Sequence, residues 1–193
     1  MTKLSFTTMA TPDLNGIEAI KLARKYGYDG VDLRVSSNRG ELTENSTIGE
    51  IHELKNAFLS EGIKPSGLLC YNAKGGNEPE SWNRMKDSIL RNLEIAYELG
   101  SESIRIFAGN PGSFENPDTY IKKTAETISE VLDRDKTDIK ILIQNHDNGF
   151  TAMDCCQAIK IVNNKRFGIV FSPDHCLIQK EDMDQVLDNV RDI

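Results

Sequence analysis

Short apolar runs rich in β-branched residues alternate with amphipathic segments along this chain. Six such runs predict β-strands at residues 4–9, 31–35, 65–71, 103–108, 139–143 and 168–171. A segment with helical periodicity follows each run, at residues 16–26, 48–61, 81–99, 118–132, 152–162 and 181–190. Strands and helices that alternate in this way predict a parallel sheet with right-handed crossovers and a ligand site at the carboxyl ends of the strands.

Residues that favour helix ends stand at several of these boundaries. Thr47 with Glu50, and Thr151 with Asp154, have the spacing of capping boxes, in which two side chains satisfy free backbone N–H groups. Glycines stand where three of the helices are expected to end, at Gly27, Gly62 and Gly100. The local signals therefore agree with the periodicity.

The alternation fits either an open, doubly wound sheet or a closed barrel. The turn after the first strand lacks the GxGxxG that cradles a pyrophosphate, and no GxxxxGK[ST] occurs. Asp32 and Arg34 alternate with apolar residues in the second strand, as Arg105 does in the fourth. Helices on both faces of an open sheet would bury these charges, whereas a barrel lumen admits polar side chains near its mouth. We therefore favour the barrel.

Length, charge and cysteine content narrow the class of protein further. A chain of 193 residues with 38% hydrophobic content predicts a single domain over residues 1–193. A formal net charge of -7 argues against nucleic acid as a partner. The four cysteines have neither CxxC spacing nor the density of a disulfide scaffold, which indicates reduced, mostly buried thiols. With neither a signal sequence nor a long apolar segment, we expect a cytoplasmic protein with no membrane partner.

Three segments, taken in order, match the motifs of a known family. Residues 18–34 run from an amphipathic helix into Gly-Tyr-Asp-Gly-Val-Asp-Leu-Arg; residues 141–146 read Ile-Leu-Ile-Gln-Asn-His; and residues 168–175 read Gly-Ile-Val-Phe-Ser-Pro-Asp-His. They resemble the second strand with its preceding helix and the fifth and sixth strand endings of the xylose-isomerase-like TIM-barrel family. This family, which is also called the AP endonuclease family 2 superfamily, includes sugar phosphate isomerases and epimerases. The resemblance implies a TIM-type parallel (β/α) barrel, here incomplete with about six β/α units.

The resemblance also implies metal-assisted proton transfer next to a sugar carbonyl. In complete members a fifth-strand Glu, a sixth-strand Asp, a His and a second Glu bind a Mn, Mg or Co ion, and the glutamates exchange the proton. Here Gln144 stands at the first of these positions and Ser172 at the second. An amide is a weak metal donor and no general base near neutral pH, and a hydroxyl brings no negative charge. We therefore expect no metal or other cofactor in this chain, and an impaired reaction.

Candidate site residues follow from the motifs and from the predicted strand ends. His146 and His175 are predicted to be catalytic, at positions where the family contacts sugar hydroxyls, and a hydrogen-bonded loop histidine is the alternative for each. The predicted substrate-binding residues are Arg34, Arg105, Gln144, Ser172 and Asp174. Either arginine can hold a phosphate or carboxylate bidentately, or can instead form a salt bridge inside the barrel, for instance with Asp32. Asp174 can turn back to replace the lost carboxylate.

Other conspicuous residues allow a structural interpretation beside a functional one. Trp82 and Phe114, near the loops after the third and fourth strands, can offer stacking faces to a sugar or simply pack in the interior. The loop at residues 74–77 reads Lys-Gly-Gly-Asn and predicts either a lid or a turn. His52 lies within a predicted helix and is expected at the surface.

Nothing after the sixth predicted strand supplies a seventh and an eighth, which predicts open sheet edges. A truncated product and a natural short form, which closes its barrel by covering the gap or by pairing with another chain, both explain this length. The leading hypothesis is a sugar or sugar phosphate isomerase/epimerase-like barrel with weak or no activity. The alternative is a non-catalytic barrel that binds sugar or serves assembly. The expected partners are a small sugar or sugar phosphate and a second copy of the chain.

Overall fold

The computed structural model describes residues 2–146 and 149–193 of the chain. Its six strands are β1 Ser5–Thr7, β2 Gly30–Val35, β3 Lys64–Cys70, β4 Ser103–Ile106, β5 Lys140–Gln144 and β6 Phe167–Val170. The α-helices in the described residues are α1 Gly16–Tyr26, α2 Ile48–Glu61, α3 Pro79–Leu99, α4 Pro117–Arg134, α5 Ala152–Val162, α6 Pro173–Gln179 and α7 Met183–Arg191. Short 3-10 turns, Thr8–Ala10 and Pro111–Ser113, follow β1 and β4.

The strands form one parallel sheet in sequence order, from β1 to β6. Each step to the next strand passes through at least one helix, as a parallel sheet requires. Within the described residues β1 and β6 are the outer strands, so the sheet does not close. The fold is therefore a TIM-barrel-like α/β fold with an incomplete barrel, which confirms the prediction of a parallel barrel with about six β/α units.

The chain divides into two compact units that interleave in sequence. The first unit contains the residues up to Tyr71 together with Arg91–Ile104 and Thr137–Ile139, and the second contains Asn72–Leu90, Arg105–Lys136 and Lys140–Ile193. Buried side chains of the first unit include Ile20, Leu33, Phe58 and Leu68. Those of the second unit include Met85, Tyr120, Ile143 and Phe150. The single domain over residues 1–193 stays a prediction.

Local sequence signals predicted both ends of three helices. The bounds of α1, α2 and α5 are those predicted, and both expected capping boxes are present, at Thr47 with Glu50 and at Thr151 with Asp154. Gly27 ends α1 with a left-handed φ of 75°, where a side chain would add strain. Sequence periodicity together with caps therefore placed these elements well.

The region after β6 differs from the expectation. Residues 173–179 form α6, which the sequence analysis did not predict, and the last helix begins at Met183 rather than at residue 181. Pro173 stands in the first turn of α6, where a missing N–H costs nothing. Asp182 caps α7, since its Oδ1 accepts from the backbone N of Asp184 at 3.0 Å and of Gln185 at 3.2 Å. Seven residues give too little periodicity to identify α6.

Two further expectations concern cysteines and the membrane. Cys70, Cys155, Cys156 and Cys176 are free thiols and all are buried, as predicted. Burial raises the pKa of the Cys176 thiol to about 12, and so keeps it neutral. Among the described residues, none of the helices has the length and apolar content that crossing a bilayer requires. The cytoplasmic location stays a prediction.

Candidate active site

Gln144 and Ser172, the two residues predicted to stand at metal-ligand positions of the family motifs, meet in the second unit. Gln144 ends β5 and pairs in register with Val170 of β6, and Ser172 follows two residues later on the same side. The Gln144 Nε2 donates to the Ser172 Oγ at 2.8 Å. Both side chains are half-buried. The two positions thus form a neutral hydrogen-bonded pair at the carboxyl ends of adjacent strands.

Asn145 fixes this pair, although the sequence analysis gave it no role. Its side chain is fully buried; Oδ1 accepts from the Ser172 backbone N at 2.8 Å, and Nδ2 donates to the Ser172 carbonyl at 2.8 Å and to the Cys176 Sγ at 3.3 Å. The Asn145 side-chain amide thus hydrogen-bonds to both the backbone N–H and the carbonyl of Ser172, as the backbone of a neighbouring strand would. Asn145 lies on the same face of the strand as the buried residues Ile141 and Ile143, and a polar residue at such a position is the signal that could have identified Asn145.

The two predicted catalytic histidines lie against each other. His146 follows β5 and His175 lies in the first turn of α6, with ring centroids 4.0 Å apart and planes inclined by 39°. The His146 carbonyl accepts from Gln179 Nε2 at 3.1 Å, which ties the end of α6 to the end of β5. Asp174 lies beside this pair with 73% of its side chain exposed, its Oδ2 4.0 Å from His175 Nε2.

Phe107, just after β4, adds a third aromatic ring, and two cations lie beside it. Phe107 meets His146 edge to face, with centroids 4.9 Å apart. The Arg105 guanidinium carbon lies 4.0 Å from the Phe107 ring centroid, and the Lys74 Nζ lies 5.4 Å from it. Arg105 is buried and Lys74 is exposed. We call Phe107, His146 and His175 the aromatic row; its Phe107 end carries both cations.

Tyr120 of α4 holds the loops that follow β3 and β4. Its hydroxyl is shared between the carbonyls of Ala108, at 2.5 Å, and Gly75, at 3.1 Å. Burial raises the pKa of Tyr120 to about 12, so the hydroxyl stays a donor near neutral pH. Gly109 has a φ of 111°, and a Cβ there would lie 2.2 Å from the Tyr120 Oη. Glycine is therefore required where the β4 loop passes the phenol.

Trp82 and Phe114 pack on Tyr120, which supports the structural interpretation of both residues. Their ring centroids lie 5.1 Å and 4.3 Å from that of Tyr120. Trp82 is buried, and its Nε1 donates to the Gly76 carbonyl at 2.9 Å. A Cβ on Gly75 would lie 2.3 Å from the Trp82 ring, so the loop at residues 74–77 is packed closely against that ring.

Arg34 belongs to the first unit and forms a salt bridge with Glu41. Its Nη2 donates to the Glu41 Oε1 at 2.8 Å, while the Glu41 Oε2 accepts from the Arg34 backbone N at 2.7 Å and from Thr8 Oγ1 at 2.8 Å. Asp32 instead accepts from Ser66 Oγ at 2.6 Å. Arg34 thus forms a salt bridge, with Glu41 as its partner, and its role in substrate binding stays a prediction. No motif indicated Glu41, which lies in the loop after β2.

The sequence model of the xylose isomerase-like TIM barrel family matches residues 20–192. The chain belongs to this family. A search of curated proteins by sequence finds no match to this chain. The matched range includes the Gln-Asn-His ending of β5 and the start of α6.

Solved structures of this family have the same fold. The 3-keto-D-glucoside 4-epimerase from E. coli superposes with a TM-score of 0.75 at 20% identity, over 100% of this chain and 76% of that one. The D-psicose 3-epimerase from Clostridium cellulolyticum H10, solved with D-tagatose, superposes with a TM-score of 0.77 at 14% identity, over 98% of this chain and 70% of that one. The IolI protein, solved with a zinc atom, superposes with a TM-score of 0.78 at 17% identity, over 95% of this chain and 67% of that one. At these identities the likeness establishes the fold.

The residues at the β5 and β6 ligand positions do not fit a divalent metal. Such ions prefer carboxylate oxygens, but an amide and a hydroxyl stand here and hydrogen-bond to each other. Across residues 2–146 and 149–193, no group of three or more His, Cys, Asp or Glu side chains is arranged to hold a metal ion. No step of a mechanism is therefore assigned to a metal at these residues.

Proposed function

We propose that this protein binds a small sugar at the carboxyl ends of β4, β5 and β6, and that the proton transfer typical of its family is impaired. The observation that carries the proposal is the neutral pair of Gln144 and Ser172 at the two ligand positions. Family membership supports the sugar, because structural neighbours were solved with D-tagatose, D-fructose and D-allulose.

The two side chains at the predicted ligand positions suit hydroxyl groups better than they suit proton abstraction from carbon. A base for that step needs a pKa near the working pH, and neither Gln144 nor Ser172 has one. An amide, a hydroxyl and two imidazoles each supply both donors and acceptors, as a polyhydroxylated ligand requires. Gln144, Ser172, His146 and His175 would therefore orient the sugar, while Asn145 holds the Ser172 backbone in place.

Binding and proton transfer can be measured separately on the same protein. Calorimetry with D-fructose, D-tagatose and D-allulose, each with and without Mn²⁺, reports binding. Proton NMR in D₂O reports deuterium entering the sugar next to its carbonyl, even without net conversion. We expect binding of at least one ketose and exchange no faster than in protein-free buffer. Exchange by the wild-type protein would contradict impairment, and failure to bind any of the three ketoses would contradict the sugar site.

A double substitution tests whether the two neutral side chains are the cause. Gln144→Glu with Ser172→Asp places two carboxylates where the amide and hydroxyl now meet, and we expect tighter Mn²⁺ binding by calorimetry than in the wild type. The matched control is Gln157→Glu with Ser60→Asp, which makes the same chemical changes at exposed positions. Equal Mn²⁺ affinity in the two double variants would refute this explanation.

Self-association through the outer strands is the second part of the proposal. In the described sheet, β1 and β6 lie at its edges, and backbone groups at a sheet edge can pair with another chain. Light scattering over a range of protein concentrations tests this, with a dimer or larger species expected. A folded protein that stays monomeric at every concentration would contradict it.

A further inference from the structure

Helix α6, which carries His175, buries little apolar surface. Cys176 is its buried side chain, whereas the neighbouring Leu177 and Ile178 are 67% and 61% exposed. Packing of an apolar face is what usually holds a helix in place, and α6 turns two of its apolar side chains to solvent. Its position therefore depends largely on hydrogen bonds to the rest of the second unit.

Two side-chain amides join α6 to the end of β5, one near each end of the helix. Near the start of α6, Asn145 bonds to both backbone groups of Ser172. At the last residue of α6, Gln179 Nε2 donates to the carbonyl of His146 at 3.1 Å and to that of Gly149 at 3.4 Å. Ser172 and Gln179 are seven positions apart, which is two helical turns, so both lie on the face of α6 directed at β5.

The backbone of His146 is held on both sides of its Cα. Its N donates to the Phe150 carbonyl at 3.1 Å, and its carbonyl accepts from the Gly149 N at 3.0 Å as well as from Gln179. The Gln179 Oε1 is buried and has no hydrogen-bond partner in the part of the chain that the structure describes, so this amide acts as a donor. Gln179 therefore acts on the backbone that carries the His146 ring.

We propose that Gln179 is a positioning residue for the histidine pair, which it holds together by joining the end of α6 to the carbonyl of His146. The inference rests on the proposed sugar site and adds a residue that acts on the ligand only through the two rings. His146 and His175 belong to different elements, so their ring separation of 4.0 Å is only as constant as the distance between β5 and α6.

Loss of the Gln179 donor would leave α6 tied to β5 at its Ser172 end alone. The far end of the helix could then pivot away from β5 and take the His175 ring with it. Hydrogen bonds weaken steeply when their distance or angle departs from the optimum, so a sugar would no longer bond well to both imidazoles at once. Because Gln179 lies at the end of a helix with little apolar packing, this movement does not require the unit to unfold.

Nitrogen–proton NMR of the imidazole rings tests the positioning directly. The chain has three histidines, and His52, on α2 of the first unit, serves as an internal reference. Gln179→Met keeps the length of the side chain and removes the donor, and Gln179→Asn keeps the amide but withdraws it by one methylene. At a fixed pH we expect both variants to shift the ring signals of His146 and His175 and to leave those of His52 in place. Gln157→Met and Gln157→Asn, at an exposed position of α5, should shift none of the three.

Calorimetry with the ketose that binds the wild type most tightly tests whether the positioning serves the ligand. We expect both Gln179 variants to bind it at least about tenfold more weakly than the wild type, and both Gln157 variants to bind it equally well. Circular dichroism verifies folding, and either Gln179 variant decides the matter if the other does not fold. Unshifted signals of His146 and His175, or shifted signals with wild-type affinity, would overturn the inference. A wild type that binds none of the ketoses would refute the proposed function, and the ring signals would still decide whether Gln179 positions the pair.

Discussion

Replacing Tyr120 with Phe removes one oxygen atom from the centre of the second unit. That oxygen contacts two carbonyls, those of Ala108 and Gly75, which belong to the loops after β4 and β3. The ring itself stays, and with it the contacts to Trp82 and Phe114. The substitution therefore removes the hydrogen bonds that fix the two loops and leaves the packing of the aromatic side chains in place.

The expected cost of Tyr120→Phe follows from burial. Tyr120 is 2% exposed, and the carbonyls it serves lose their donor where water has little access. A buried polar group left without a partner costs about 1–3 kcal/mol, so we expect unfolding to become easier by about 2 kcal/mol. In a chain of this length that corresponds to a melting temperature lower by about 4–8 °C. With a pKa of about 12, the phenol stays protonated near neutral pH, so the loss should be the same at pH 6 and pH 8.

Urea unfolding followed by circular dichroism and by fluorescence provides the measurement. Trp82 is the only tryptophan of the chain and packs on Tyr120, so its emission reports this region directly. Tyr97→Phe is the matched control, because Tyr97 is 60% exposed and should change stability by less than about 0.5 kcal/mol. An equally small change for Tyr120→Phe would show that its hydroxyl does not hold the loops.

Three further substitutions test the remaining contacts. Asn145→Ala removes the side-chain amide from the Ser172 N–H and leaves the Ser172 carbonyl with the weaker Cys176 Sγ contact at 3.7 Å, so it should cost about 1–3 kcal/mol in urea unfolding and weaken ketose binding; unchanged binding would remove Asn145 from the site. Glu41→Gln removes the charge that Arg34 faces and should cost about 2 kcal/mol, a loss that high salt leaves largely in place because the pair is buried. Burial raises the pKa of Asp154 in the folded protein, so its contribution to stability is full below about pH 4 and is lost as the pH rises through the folded pKa. Asp154→Asn should therefore gain stability relative to wild type from pH 4 to pH 7, and an equal difference at both pH values would contradict the role of burial.

The neutral pair at the ends of β5 and β6 is the basis of the proposal that the family's reaction is impaired in this protein. The barrel strands bring Gln144 and Ser172 together as they would bring two carboxylates together, and the residues satisfy each other with one hydrogen bond. Two adjacent carboxylates without a metal would repel each other, whereas the amide and hydroxyl do not. Neutral groups at these two positions agree with the proposed binding of a sugar through hydrogen bonds.

The sequence by itself determined the elements whose signals are local. Alternating apolar runs identified all six strands, with ends that differ from the observed ones by at most two residues. Capping residues and terminal glycines placed α1, α2 and α5 correctly, because a cap involves residues only three or four positions apart. Ordered motifs identified the family, and with it the positions of Gln144 and Ser172.

Only the tertiary structure decided which side chains meet. Glu41 pairs with Arg34 because the loop after β2 folds back over the strand, and Lys74 reaches Phe107 because Asn72 ties two loops together. Such contacts depend on sheet register and on the path of loops between elements distant in sequence. Neither is encoded in a local pattern of apolar and polar residues, so these contacts became visible only in three dimensions.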